Sequence, residues 1–83
     1  MDRKQVLEKI LEFFRQKGIE VEKVQEVEKV RYLEEGWLDS FDLVDFLTYL
    51  EQEFNVELPP EDLQTESFRT LGGVVETILK RLG

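Results

Sequence analysis

"GWLDSFDLVDFLTYL", Gly36 to Leu50, is the stretch on which the reading of this chain turns. Beyond Asp39, Leu43, Phe46, Leu47, Leu50 and then Phe54 recur at i, i+3, i+4, i+7 and i+11, the spacing of one apolar helix face. Asp39 and Ser40 stand where that helix begins. An aspartate there accepts backbone N–H groups as N-cap, and a serine in the first turn is an ordinary companion, the two together worth about 1 kcal/mol. If Asp39 supplies the cap, however, the Ser40 hydroxyl is left free and faces outward. It then lies where unpaired N–H groups and the helix dipole favour a phosphate. Ser40 is thus either a helix-start residue or a modification site.

The residues on either side complete a helical pattern. Val6, Leu7, Ile10, Leu11, Phe13 and Phe14 recur at helical steps, which predicts a first helix over about Asp2 to Lys17 with Gly18 as its stop. The second helix, from near Asp39, is expected to end at Asn55, and Pro59-Pro60 bars its continuation because proline lacks the N–H and restricts its neighbour. Short helical turns are expected at Pro60–Leu63 and Glu66–Arg69. Thr70 can then cap a last helix whose buried stripe is Leu71, Val74, Val75, Ile78, Leu79 and Leu82. Gly72 and Gly73 weaken its first turn by roughly 1 kcal/mol each relative to alanine, so another backbone is expected to come close there. Lys80 and Arg81 suit its negative end.

Between Gly18 and Leu38 lies a connection that is long for a structureless loop. Ile19, Val21, Val24, Val27, Val30 and Leu33 supply anchors, which predicts an ordered loop containing a helical turn and lying across the helices. The fold expected is all-α: a small monomeric bundle of three main helices plus a short extra one, in a single domain over residues 1–83.

Composition narrows the chemistry. A chain of 83 residues holds one small core, since domains of this size bury only about 60% of their unfolded surface. There is no cysteine and no histidine, which excludes disulfides, thiol nucleophiles, hydrolytic triads and most zinc sites. Nineteen acidic against eleven basic residues give a net charge of −8, which repels nucleic-acid backbones and favours basic partners. No segment approaches the ~20 apolar residues of a membrane span, and the N-terminus lacks a signal-like apolar run. A cytoplasmic protein is expected.

"GWLDSFDLVDFLTYLEQEFNVELPPEDL" resembles the core motif of acyl and peptidyl carrier proteins, and the likeness extends over the whole chain to "FRTLGGVVETI". In that family an Asp-Ser pair opens helix two and the serine carries 4′-phosphopantetheine. The resemblance implies an acyl-carrier-protein-like fold without catalytic residues. It implies that a phosphopantetheinyl transferase attaches the arm, taken from coenzyme A, to Ser40, and that the arm's thiol holds the cargo as a thioester. Of the two serines, Ser40 and Ser67, only Ser40 follows an aspartate cap. Phe41 stands where the family most often has leucine, and Trp37 where a smaller residue is usual. "GWLDSF" is similar to free-standing carriers, including D-alanyl and specialised acyl carriers. The cargo is therefore open between fatty acyl, polyketide, D-alanyl and aminoacyl groups.

Asp39, Asp42, Asp45 and Gln52, with Tyr49 between them, are read on the face of helix two away from its apolar stripe. Such a face is either solvated surface or, in a carrier, the docking strip for basic patches on transferases, ligases and synthases, with Glu34 and Glu35 as an extension. Phe41 is either a core anchor or an exposed apolar contact beside Ser40. Phe46, Leu50, Phe54 and Val75 are expected to line the interior. The rival class is an unmodified helical interaction domain that binds a basic partner through the same acidic face.

Overall fold

A computed structural model describes every residue from Met1 to Gly83. It contains four α-helices and no strand: α1 (Arg3–Gln16), α2 (Ser40–Phe54), α3 (Pro60–Leu63) and α4 (Leu71–Leu82). This is the all-α bundle of three main helices and one short helix that the periodicities predict.

Each of the three main helices begins on a side-chain cap, α2 on a box formed by Asp39 and Asp42. Asp2 accepts the Gln5 backbone N–H at 2.8 Å, and the Gln5 side chain accepts the Asp2 N–H at 3.0 Å, a reciprocal box at the start of α1. Thr70 Oγ1 accepts the Gly73 N–H at 3.0 Å to start α4. Two predicted stops lie in the left-handed region: Gly18 at φ +89° after α1, and Asn55 at φ +54° after α2.

Seventeen apolar residues from the three main helices, the long loop and the segment between α2 and α4 form one buried cluster, and no charged side chain is buried. Phe46 of α2 sits at its centre. Its ring centroid lies 5.0 Å from that of Phe13, 5.3 Å from Phe14, 5.7 Å from Tyr32 and 6.5 Å from Phe68. Leu50 and Phe54 continue the buried stripe, and Val75 meets it from α4. Leu43 and Leu47 are only half-buried, flanking the stripe, and Leu82, expected in the buried stripe of α4, is exposed at its last turn.

The connection between α1 and α2 is ordered and carries two single 3₁₀ turns, Val21–Lys23 and Val27–Lys29. Val21 is its deepest valine, while Ile19, Val24, Val27 and Val30 are half-buried. Leu33, expected as an anchor, is 40% exposed; its neighbour Tyr32 takes the interior instead, fully buried. The Tyr32 hydroxyl donates to the Phe68 carbonyl, which ties the loop to the 3₁₀ turn Glu66–Arg69 ahead of α4. A hydroxyl that is hydrogen-bonded can be buried at little cost, whereas without a partner it would carry a desolvation penalty.

The glycine pair at the start of α4 is where two backbones approach. A methyl group at Gly73 would lie 1.5 Å from the Ser67 carbonyl oxygen, and one at Gly72 would lie 3.0 Å from that of Glu28. The loop is further held by Arg3, which reaches from α1 to Glu28 and to Glu76 of α4. Arg81 of α4 holds α3 through Asp62 at 2.6 Å.

Candidate functional site

Ser40 is the first residue of α2, and the residue before it does the capping. Asp39 adopts extended backbone geometry and its Oδ1 accepts the Asp42 N–H at 2.8 Å; the Asp42 side chain returns a longer bond, 3.4 Å, from the Asp39 N–H. The box is closed without Ser40, whose side chain is exposed. A free hydroxyl therefore stands over a helix start whose first-turn N–H groups are not all paired. Leu38, immediately before the cap, is buried and anchors this end of the loop, and half-buried Trp37 lies edge-on to Phe14 with centroids 5.6 Å apart. The serine is thus held on a fixed element.

Around it the outward side of α2 carries both charge and apolar surface. Phe41 is 83% exposed and Val44 is 62% exposed, so Phe41 is not a core anchor. Val44, one turn on from Ser40, was given no part by the sequence; its place off the apolar stripe is the only signal for it. Asp45 is exposed. Asp42 is half-buried, and the Lys17 ammonium at the end of α1 donates to it at 3.1 Å. That bond first, and the Asp39 N–H second, hold the Asp42 carboxyl below the usual aspartate range.

Tyr49 does not share this free face. Its hydroxyl donates to the Lys9 carbonyl of α1 at 2.7 Å and its ring lies 5.2 Å from that of Phe13. Half-burial, and secondarily the nearby Glu53 and Glu12 carboxylates, raise its pKa. Tyr49 joins α1 to α2 rather than facing outward with Asp42 and Asp45. Gln52, Glu34 and Glu35 are exposed.

A groove of about 270 Å³ opens beside the start of α2, lined by Leu33, Glu34, Leu43, Leu63, Phe68 and Arg69. Leu43 is three residues on from Ser40, hence a neighbour on the helix surface. The exposure of Leu33 and the half-burial of Leu43 and Leu63 follow from this opening. No cluster of side chains suited to a metal ion is present, and no helix is long and apolar enough to cross a membrane.

Fold and site together define a class: a small helical bundle that offers one uncommitted serine hydroxyl at a capped helix start. The family model described as "Phosphopantetheine attachment site" matches residues 8–78, and the chain belongs to that family. Acyl carrier proteins from three strains of Clostridium perfringens are each 40% identical to it over 47 residues, or 57% of this chain and 59% of the relative. The chain thus spans somewhat under two thirds of the length of these curated relatives. The cofactor of the family is covalently attached 4′-phosphopantetheine. The exposed Ser40 hydroxyl and the open first turn beneath it fit a phosphodiester, and no buried group has to move to admit one.

Proposed function

We propose that this chain is an acyl carrier protein in which Ser40 bears the 4′-phosphopantetheine and the exposed face of α2 meets the enzymes that load and unload it. The observation that carries this reading is the closed Asp39–Asp42 capping box, which leaves Ser40 exposed and unused by the fold. When attached, the group supplies a thiol that holds an acyl cargo as a thioester, chemistry that a chain without cysteine has no side chain to perform.

The chain's own residues supply position and recognition, not catalysis. Asp39 fixes the first turn, and the N–H groups of that turn with the helix dipole favour the phosphate. Phe46, Leu50 and Phe54 anchor α2 from below, so Ser40 is presented on a rigid support. Asp39, Asp42 and Asp45 offer negative charge to basic patches on a phosphopantetheinyl transferase and on acyl ligases, synthases or transferases, with Phe41 as the apolar contact among them. Tyr49 supports the face from behind through its bond to α1. Such a carrier works as one monomeric domain over 1–83 among cytoplasmic enzymes.

Incubation with coenzyme A and a broad-specificity phosphopantetheinyl transferase should add the mass of one phosphopantetheine. Ser40→Ala should abolish the increase while the helical circular dichroism stays nearly unchanged. A Ser40→Ala chain that is still modified would refute the assignment.

A further inference from the structure

The acidic face beside Ser40 already holds a cation. Lys17, which follows the last residue of α1, places its ammonium 3.1 Å from an Asp42 carboxylate oxygen and 3.8 Å from one of Asp45. The same ammonium lies 5.4 Å from the centroid of the Phe13 ring, within cation–π range. Two carboxylates of α2 and a ring of α1 therefore converge on one lysine. Its surroundings differ from those of Lys23 and Lys29, whose side chains are 75% and 77% exposed and meet only a glutamate three residues away, whereas the Lys17 side chain is 33% exposed; Lys9, the other lysine of α1 that reaches α2, meets the single carboxylate of Glu53.

We propose that Lys17 is a built-in competitor for docking: it occupies the Asp42 and Asp45 carboxylates that a lysine or arginine of a partner enzyme engages, so that binding must displace it. The proposal rests on the carrier reading of Ser40, because that role brings basic enzymes to the start of α2. Charge supports it. The two carboxylates alone present −2 to an incoming cation, and with Lys17 seated they present −1. Exchange is feasible because ion pairs this open to solvent are weak, so one ammonium can replace another at small cost. Lys17 is not the tether of α1 to α2; that work falls to Phe13 and Phe14 against Phe46 and to the Tyr49–Lys9 bond. Lys17 would then set how readily partners engage, and how steeply engagement depends on salt.

Two measurements on Lys17→Gln, which removes the charge and keeps part of the aliphatic stem, test this. In the first, tetralysine is titrated into the ¹⁵N-labelled wild-type and variant chains at low salt, and the Asp42 and Asp45 amide signals are followed. In the second, kcat/KM for phosphopantetheinylation is measured with coenzyme A across a salt series. The variant should bind tetralysine, and be modified, about two- to five-fold better at low salt, with the advantage fading as salt rises. Lys17→Arg, which keeps the cation, should behave like wild type. A folded Lys17→Gln chain that binds tetralysine no better than wild type overturns the proposal. So does an unfolded one, because Lys17 would then belong to the fold. Stronger tetralysine binding with no modification of either chain would leave the competitor standing and overturn the carrier reading instead.

Discussion

The two sides of α2 are built from similar residue types and put to opposite uses. On the inner side Phe46 and Leu50 have no exposure and Phe54 has 4%, and four aromatic rings surround Phe46. On the outer side Phe41 and Val44 are 83% and 62% exposed, and Ser40 has a hydroxyl that the cap does not use. Phe41 and Phe46 are the same amino acid five residues apart, so hydrophobicity alone does not separate them. What separates them is helical phase: five residues are 1.4 turns, which carries the second phenylalanine to another side. The inner side fixes where α2 begins and how it is rotated. The outer side carries what the fold leaves unused, and function is read there.

The largest expected effect sharpens this contrast. Phe46→Ala should cost about 3–5 kcal/mol in denaturant unfolding, a large part of the stability of so small a domain, whereas Phe41→Ala should stay within about 0.5 kcal/mol of wild type. Comparable losses from the two would break the assignment of faces. Next is Gly73→Ala. Alanine gains about 1 kcal/mol of helix propensity, but its methyl group meets the Ser67 carbonyl at 1.5 Å, so a net loss of about 1–3 kcal/mol is expected from the same unfolding curves. A stabilised variant would mean that the turn before α4 does not press on the helix.

Tyr32→Phe removes the donor to the Phe68 carbonyl and leaves the ring in place. A loss of about 1–2 kcal/mol should result, seen also as faster amide exchange in the turn Glu66–Arg69. No change in either would leave that loop contact purely apolar.

The smallest effect concerns pH and the outer side. The Asp42 carboxyl is held low by Lys17, so its contribution to stability is complete above the ordinary aspartate range, about pH 4, and is lost as pH falls through its lowered folded value. The stability difference between wild type and Lys17→Gln should accordingly be present at neutral pH and shrink in acid, in urea titrations at a series of pH values. A difference that persists in acid would assign the role of Lys17 to packing over Phe13 instead.

Much of this was legible in the sequence because it is local. The stripes of α1, α2 and α4 are set by helical period, the stops at Gly18 and Asn55 by their tolerance of positive φ, and the close approach at Gly72 and Gly73 by the absence of a side chain. Asp39 as the cap of α2 follows from residue type and position alone. What escaped is non-local. In the long loop no fixed period operates, so nothing local favours Tyr32 over Leu33 as the anchor; the choice depends on the Phe68 carbonyl, 36 residues away. Tyr49 reads as part of the acidic face until α1 supplies a carbonyl for its hydroxyl. Lys17 has no sequence signal at all, because its place is defined by the crossing of two helices. The groove beside Leu43 likewise arises from three separate segments.

The central claim, that the uncommitted hydroxyl at the start of α2 is the attachment point, is tested most directly by locating the group on the wild-type chain. After reaction with coenzyme A and a phosphopantetheinyl transferase, fragmentation of the modified protein should place a single phosphopantetheine on Ser40 and none on Ser67. A group on Ser67, or a folded wild-type chain that gains no mass with a transferase active on another carrier, would contradict the account.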